Sequence, residues 1–566
     1  MFVSRCLIFD TRTTKTEQRK PNNEIKKIIQ MKNLFIKIFA ILPLLVVLTS
    51  CQNYDDLLPN PNVASETKAI PPEYLLGRIT YDMYIGPGVN DGVSGRVSEE
   101  PFEQVHRYNQ FIVSNNLYYG GKNLYDWSST ATAYGILKNA NKMEEQAFKT
   151  LGVKVNAYSA LAKFFRAYVY VWLSQRVGDV PMTEAGLGLD NLTPKYDAQK
   201  DVYKGVLQML EDANTDLTSL IATTTPAGTL AGDILLNNNL KSWQKAVNSY
   251  KLRVLISMSK RADDSADLGI KQKFADVINN PIKYPIMGSN ADNMVFTYNA
   301  AYNSYPHQPK DGNNNYQNIG STYLNLTTVN QDPRTFMVAT PAPAEITKGK
   351  KVDDFTAYVG SDISMPVGDL FTNSTAGKYS FTNFNRYYGS LTGPESYILL
   401  GYAETNFNIA EAINRGWLTG SASSYYTKGI NASLSFYGLS EGSNITIGDL
   451  TGKTLGTVTI STSKFLANPN VVYKGDNADG LEQILNQKYI AFFENSGWEA
   501  FYNQRRTGLP KTFITKGSGI NGSSLVPRRW QYPVDEQTYN GVNYKAALDK
   551  QYAGKDDVYS DMWLLK

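Results

Sequence analysis

Aromatic rings stand among Asn, Asp and Gly residues in two stretches of the chain, 84–127 and 298–323. Flat rings can cover the apolar C–H faces of a sugar while amides and carboxylates bond its hydroxyls, so this mixture suits a neutral glycan. The alternative is that such rings pack in the core or face a partner protein, and the first candidate for the core is Trp127, near a predicted helix start. The candidate ligand contacts are Tyr84, Asn90, Tyr118, Tyr119, Trp127, Tyr302, Tyr305 and Tyr316.

Few other residues could support catalysis or metal binding. The chain has two His and two Cys, so a zinc site would need mostly carboxylates. Adjacent acids such as Asp353 and Asp354 generally point apart, whereas a glycosidase needs two carboxylates that converge across a cleft. The segment 311–315 begins like a calcium loop, but its twelfth position is Thr322 instead of an acid. We therefore expect no catalytic residue, no metal and no cofactor.

The N-terminal sequence predicts export. After Met31, the basic residues Lys32 and Lys37 precede an apolar stretch, 38–48, that is too short to span a bilayer. The following Leu-Thr-Ser-Cys, which ends at Cys51, resembles the bacterial lipobox, in which the Cys is acylated before cleavage. The alternative is an ordinary signal peptide followed by a chance Cys.

These features predict three parts of the chain. Residues 1–50 comprise an upstream extension and a lipoprotein signal peptide, 51–72 a lipidated tether, and 73–566 the folded domain. The first 50 residues hold nine of the 56 Lys and Arg residues but three of the 52 acids, so the remainder has 47 basic and 49 acidic side chains. A nearly neutral domain without a basic run argues against a nucleic-acid partner.

Apolar side chains at alternating spacings of three and four predict long helices on both sides of an irregular part, about 263–396. One such stripe lies within 158–172 and is stopped by the Gly and Pro residues of 177–181. The pattern favours a mainly α fold in which helical hairpins pack side by side, as in tetratricopeptide arrays. The other stripes lie within 202–220, 243–258, 397–413 and 481–492.

The C-terminal third carries a family resemblance. Its segments QKYIAFFENSGWEAFYNQRRTGLP at 487–510 and VPRRWQYPVDEQTYNGVNYKAAL at 526–548 stand with RVGDVPMTEA at 176–185 and QDPR at 331–334. Together with the lipobox, these motifs in this order resemble the SusD/RagB family of outer-membrane nutrient-binding lipoproteins. The resemblance covers essentially all of the chain after Cys51.

The resemblance implies a scaffold of four tetratricopeptide-like helix pairs with a loop-rich part. Members of the family are lids of SusC-type TonB-dependent transporters; they bind glycans, occasionally peptides, and catalyse nothing. The expected location is the outer surface of the outer membrane, held by lipid at Cys51. Family members place ligand contacts in loops of roughly the two aromatic stretches, so the transfer is regional.

The Arg pairs of the C-terminal motifs are expected to be structural. Guanidinium groups can cap helix carbonyls, pair with carboxylates or stack on rings. Glu404 and Glu411 lie seven residues apart on one predicted helix face, and we expect Glu404 to pair with one of these Arg residues. The Arg residues concerned are Arg505, Arg506, Arg528 and Arg529.

Other functions stay open on the sequence alone. A peptide-binding member of the same family, a surface glycoside hydrolase, and an adhesion lipoprotein without a soluble ligand would share the N-terminal signal. The sequence does not name the ligand, since stacking on rings tolerates many sugars.

Overall fold

A computed structural model describes Met31 and residues 69–86, 99–117, 123–130, 133–307 and 315–566. Its contacts divide the chain into Met1–Ala69 and Ile70–Lys566, and every element below belongs to the second unit. Cys51, the predicted signal peptide and nearly all of the predicted tether lie outside the described residues, so these three parts remain predictions.

The described residues are mainly helical. The helices before the irregular part are α1 Pro72–Ile85, α2 Gln104–Tyr108, α3 Tyr134–Leu151, α4 Ala157–Val177, α5 Gln199–Ile221, α6 Leu240–Ser257 and α7 Ile270–Asn279. The short helices that follow are α8 Ser321–Val329, α9 Arg334–Val338, α10 Pro343–Thr347, α11 Val367–Thr375 and α12 Phe384–Tyr387. The later helices are α13 Tyr402–Asn414, α14 Ala422–Phe436, α15 Thr462–Leu466, α16 Ala478–Ala491, α17 Glu499–Thr507, α18 Val534–Tyr539 and α19 Gly541–Tyr552.

Three short antiparallel sheets accompany the helices. Strand β1 (Ile112–Ser114) pairs with β3 (Gln317–Ile319), and β2 (Met294–Phe296) pairs with β4 (Tyr397–Leu400). The third sheet is a hairpin of β5 Asn444–Gly448 and β6 Thr454–Thr459. The first two sheets join distant parts of the chain and therefore tie the irregular part to the helical scaffold.

Helix α4 shows why the predicted stripe folds as it does. The Asn156 side chain accepts from the Ser159 backbone N–H at 2.9 Å, and the Ser159 hydroxyl accepts from the Asn156 N–H in return. The helix ends before Gly178, whose φ of 93° is a conformation that favours glycine. Its apolar residues are buried between α3 and α5.

Successive helices of the scaffold pack against one another. Helix α3 contacts α4, α4 contacts α5, and α5 contacts α6, while α13, α14 and α16 form a second group. The connections 152–156, between α3 and α4, and 415–421, between α13 and α14, are short, as in antiparallel helical hairpins. This arrangement confirms the predicted mainly α, helical-hairpin scaffold.

Buried ion pairs correct the expectation for Glu404. Its carboxylate accepts from Arg253 on α6, with Nε–Oε1 at 2.7 Å, and not from an Arg of the C-terminal motifs. Glu411 instead accepts from Arg506, with Nη2–Oε2 at 2.9 Å. Both acids lie on the buried side of α13, but the helix that each one faces depends on packing that its spacing does not reveal.

The C-terminal Arg residues are structural, as predicted. Arg505 donates to the carbonyls of Gln175, near the end of α4, and of Arg528, both at 2.8 Å. Arg528 donates back to the Arg505 carbonyl at 3.0 Å, which is near the end of α17. Arg529 lies 4.0 Å from the Tyr552 ring centroid and pairs with Asp556 at 2.8 Å. These bonds satisfy carbonyls at helix ends.

Candidate ligand-binding site

The β1–β3 pairing brings the two aromatic stretches together. Ser114 lies opposite Gln317, and the ladder continues as the Asn115 N–H donates to the Tyr316 carbonyl at 3.0 Å. The Asn115 side chain also donates to the Asn315 carbonyl at 3.1 Å and to the Asn318 side-chain oxygen at 2.8 Å. The loop that follows β1 and the loop that precedes β3 therefore start side by side.

Reciprocal hydrogen bonds close the base of the first loop. The Asn123 side-chain oxygen accepts from the Ser114 N–H at 2.8 Å, and its amide donates to the Ser114 carbonyl at 2.7 Å. An Asn side chain thus replaces a strand partner at this point. Residues 118–122 lie between these anchors and outside the described residues.

Phe102 and His307 connect the second pair of loop ends. Their rings meet edge to face with centroids 4.8 Å apart. The Gln317 side chain donates to the Phe102 carbonyl at 3.4 Å, and the Phe102 N–H donates to the Glu494 carboxyl group. Residues just after the segment 87–98 therefore contact residues that flank the segment 308–314.

A buried aromatic cluster lies beneath these loop ends. The Tyr84 ring stacks on Phe296 with centroids 3.7 Å apart, and its hydroxyl lies 3.3 Å from that of Tyr298. Tyr298 meets the Tyr305 ring edge to face at 5.0 Å. The Tyr305 N–H donates to the Leu391 carbonyl at 2.7 Å. This cluster fixes the backbone from which the loops leave.

The structure places the predicted contacts in three settings. Tyr302 is 90% exposed, in a turn where its N–H donates to the Asn299 side chain at 2.8 Å, and Tyr316 is half-buried. Tyr84 and Tyr305 are buried in the cluster beneath the loops. Asn90, Tyr118 and Tyr119 lie outside the described residues.

Trp127 packs in the core, in agreement with the alternative stated for it. Its ring stacks on Trp530 with centroids 4.5 Å apart, and its Nε1–H donates to the Arg529 carbonyl at 3.2 Å. These partners come from the C-terminal motif, about 400 residues away in the chain. This buried packing gives the Trp127 ring a structural role, which needs no ligand.

Sequence reasoning missed two apolar side chains at this surface. Leu117 follows β1, and Leu391 lies in the loop in which its own carbonyl accepts from the Tyr305 N–H. Both leucine side chains are exposed. The Leu391 loop reads only as a Ser-Leu-Thr-Gly turn, which carries no ring to single it out. Its position follows from the long-range bond to Tyr305.

Three carboxyl groups in this part of the protein have raised pKa values. Burial raises the pKa of Glu494 to about 8 and, together with the neighbouring Glu103 charge, that of Glu100 to about 7. Burial also raises the pKa of Glu395 to about 7, although Arg386 opposes the shift. Among the described residues, no group of three or more His, Cys, Asp or Glu side chains could hold a metal ion.

No helix in the described ranges combines the length and apolar content needed to cross a membrane.

A family model described as "SusD-like_2: Starch-binding associating with outer membrane" matches residues 65–533. No curated protein matches the chain.

Solved structures share the fold. A SusD homologue of Bacteroides fragilis is 28% identical with a TM-score of 0.75, covering 88% of this chain and 100% of the homologue. An outer-membrane protein of Bacteroides vulgatus named for nutrient binding is 29% identical with a TM-score of 0.72, and it has the same coverage. A chitin-binding protein is 22% identical with a TM-score of 0.63, covering 88% of this chain and 99% of its own, which shows the fold alone.

Proposed function

The chain belongs to the SusD-like family of outer-membrane-associated binding proteins, and from this premise we propose that it is a cell-surface lipoprotein that binds oligo- or polysaccharide and catalyses nothing. It passes the glycan to a SusC-type TonB-dependent transporter and acts as the lid of that transporter. Acylated Cys51 anchors it, residues 51–72 serve as the tether, and 73–566 form the binding domain.

The observation that carries this proposal is the β1–β3 pairing. It brings together Asn115 and Tyr316, which flank two Tyr- and Asn-rich segments, and a buried aromatic cluster that includes Tyr305 precedes the second segment. A rigid base with rings at its surface suits a sugar, because stacking then orders few flexible side chains. Tyr302 supplies one exposed ring, and we propose Tyr316, Asn90, Tyr118 and Tyr119 as further contacts.

Tyr302→Ala tests the glycan site. We expect about a fivefold loss of affinity by isothermal titration against the best ligand of a glycan panel, because a stacked ring contributes about 1 kcal/mol. The melting temperature should be unchanged, since the ring is exposed. Tyr539→Ala is the matched control, because this tyrosine is 73% exposed on α18.

Four results would contradict the proposal. An equal loss of affinity in both Tyr variants would place the effect outside the loops. Release of shorter sugars during incubation with oligosaccharides would favour the hydrolase. A negative glycan panel with a positive peptide panel would favour the peptide-binding alternative, and failure to co-purify with an outer-membrane barrel would remove the transporter.

A further inference from the structure

Exposed apolar side chains surround the point where the chain enters the folded unit. The Ile70 N–H donates to the Gln146 side chain on α3 at 2.8 Å. Near this bond, and along α3, large apolar residues face solvent. We call this surface the entry face, and its apolar members include Tyr74, Phe148, Val153, Leu187, Leu189 and Leu192.

The loop 186–193 belongs to the same face as Ile70. A Cβ added at Gly186 would lie 3.1 Å from the Asn141 amide nitrogen, so this loop contacts α3. Asn141 and Gln146 are five residues apart, which is about 7.5 Å along a helix. Five residues also turn a helix by about 140°, so the loop and the entry point lie on either side of the exposed face of α3.

Hydrogen bonds hold the leucines of this loop in exposed positions. The Glu184 carboxylate accepts from the Asn191 side chain and from the Lys195 N–H, each at 2.9 Å. The Asn543 side chain on α19 donates to the Thr193 carbonyl at 2.9 Å. Leu189 is 92% exposed and Leu192 69% exposed in this braced loop. Exposed leucines fixed by polar bonds are typical of a contact surface.

The charges on this face favour an anionic partner. Exposed lysines lie along α3 and just beyond its end, at 138, 142, 149 and 154. The acids among them are paired: Glu145 contacts Lys142 and Lys149 at 3.0 and 2.7 Å, and Glu144 contacts Arg166 at 2.7 Å. Asp190 lies exposed in the loop and adds one negative charge. The face combines apolar side chains with an excess of lysine, which is the chemistry of a membrane-surface element.

We propose that the entry face lies on an anionic lipid surface and, with acylated Cys51, holds the protein against the membrane. The inference rests on the proposed function, because the acyl anchor is what brings this face to a bilayer. A lipid surface is favoured over a second copy or the transporter because the chain arrives from its anchor at this face. Lipid anchoring is also strengthened by a second signal of this apolar and basic kind.

A fluorescent label tests the contact directly. Leu189→Cys in the acylated protein is labelled with nitrobenzoxadiazole and reconstituted into vesicles of phosphatidylcholine and phosphatidylglycerol, where acylation leaves Cys51 unreactive. We expect a blue-shifted emission that brominated acyl chains quench. Ile282→Cys is the control, because this residue is 97% exposed beyond α7 and α4–α6 lie between α3 and α7 in the packing order.

The readings at the two positions decide the inference. If the label at position 189 on the anchored protein keeps the emission that it has in water, the inference is overturned. A blue shift that depends on protein density and is insensitive to bromine would indicate a second copy and would overturn it as well.

A second measurement separates the face from the anchor. The Cys51→Ala chain should still co-sediment weakly with the same vesicles, and salt should reduce this binding. Adding Leu189→Asp and Leu192→Asp should lower the binding at least about tenfold, whereas adding Ile282→Asp should not. An unmutated chain that mass spectrometry shows to carry no acyl group would defeat the anchor alone, and absent binding by the Cys51→Ala chain would defeat the entry face alone.

Discussion

The fold buries the carboxyl group of Glu494, and this burial makes the stability of the protein depend on pH. Its pKa rises to about 8, chiefly because burial disfavours the charged form. In the unfolded chain the same group titrates near its ordinary value of about 4.5. Between these values the folded state binds more protons than the unfolded state, so stability falls as pH rises through this window. Because Glu494 accepts from Phe102, this pH dependence bears on the base of the ligand loops.

Glu494→Gln should remove this dependence. The amide oxygen can still accept from the Phe102 N–H, but no charge forms at higher pH. We expect the variant to melt at a higher temperature than the parent at pH 8 and at a similar temperature at pH 5. Thermal melts across pH 5 to 8 measure this, and parallel curves for the two proteins would contradict it.

The pKa of Glu411 is shifted in the opposite direction, below its ordinary value. Burial alone would raise its pKa, but Arg506 and Arg415 outweigh burial and lower it to about 2. The charged form is therefore favoured on folding, and this contribution to stability is lost only as pH falls from about 4.5 toward 2. The two Arg partners differ in setting, since Arg506 is buried and Arg415 is partly exposed.

This difference yields a matched pair of variants. Arg506→Gln leaves a buried carboxylate without its inner partner and should cost about 3–5 kcal/mol of unfolding free energy. Arg415→Gln removes a solvent-screened partner of the same carboxylate and should cost about 1 kcal/mol or less. Urea unfolding at pH 7 gives both values, and equal losses would show that burial does not set the strength of this pair.

At the scale of elements, the end of α4 is where the scaffold meets the C-terminus. The Tyr552 hydroxyl donates to the Val177 carbonyl at 2.8 Å, and the Asp179 N–H donates to the Gln551 side chain at 2.8 Å. A Cβ on Gly178 would lie 2.4 Å from the Tyr552 hydroxyl. Glycine at this position therefore allows α19 to approach and supplies the positive φ that ends α4.

Gly178→Ala should separate these elements. The substitution combines an unfavourable φ of 93° with a close contact, so we expect a loss of at least about 3 kcal/mol in unfolding free energy. Gly152→Ala at the end of α3 has a φ of 70° and no heavy atom within 4 Å of the added Cβ. That control should lose about 1 kcal/mol. Similar losses in the two variants would mean that α19 does not press on Gly178.

At the scale of the whole molecule, two small sheets join the irregular part to the helical scaffold. The two sheets β1–β3 and β2–β4 connect the irregular part to regions before and after it in the chain. In the proposed function, the anchor at Cys51 holds the protein at the membrane and does not change the binding domain. Anchoring and binding should therefore separate in experiment.

Cys51→Ala tests that separation. We expect loss of acylation and of retention in the outer-membrane fraction, because no other cysteine follows in the sequence. The purified variant should keep the melting temperature and glycan affinity of the parent, since Cys51 precedes the folded unit. Membrane fractionation with mass spectrometry of the N-terminus checks this, and a variant that stays lipidated would contradict the lipobox.

Periodicity predicted the scaffold because the buried side chains of a helix recur every three or four residues, as they do within 158–172. Sequence reasoning also identified the Arg-rich motifs as structural, from the groups that a guanidinium can bind. It assigned the wrong partner to Glu404, because nothing local distinguishes Arg253 from Arg506. It likewise did not separate the exposed Tyr302 from the buried Tyr305, three residues later. That difference depends on the Leu391 carbonyl, whose approach is a long-range event.

The two hydrogen bonds between Asn123 and Ser114 hold the base of the loop between them and do not depend on residues 118–122. Because the Asn123 side chain binds both backbone groups of Ser114, and Asn115 extends the ladder to Tyr316, residues 118–122 can change in length or composition without altering the strand that precedes them. In the proposed function, replacement of this loop would therefore change the sugar preference while the rest of the domain stays constant. Engineering of altered specificity should therefore keep Ser114, Asn115 and Asn123 and vary residues 118–122.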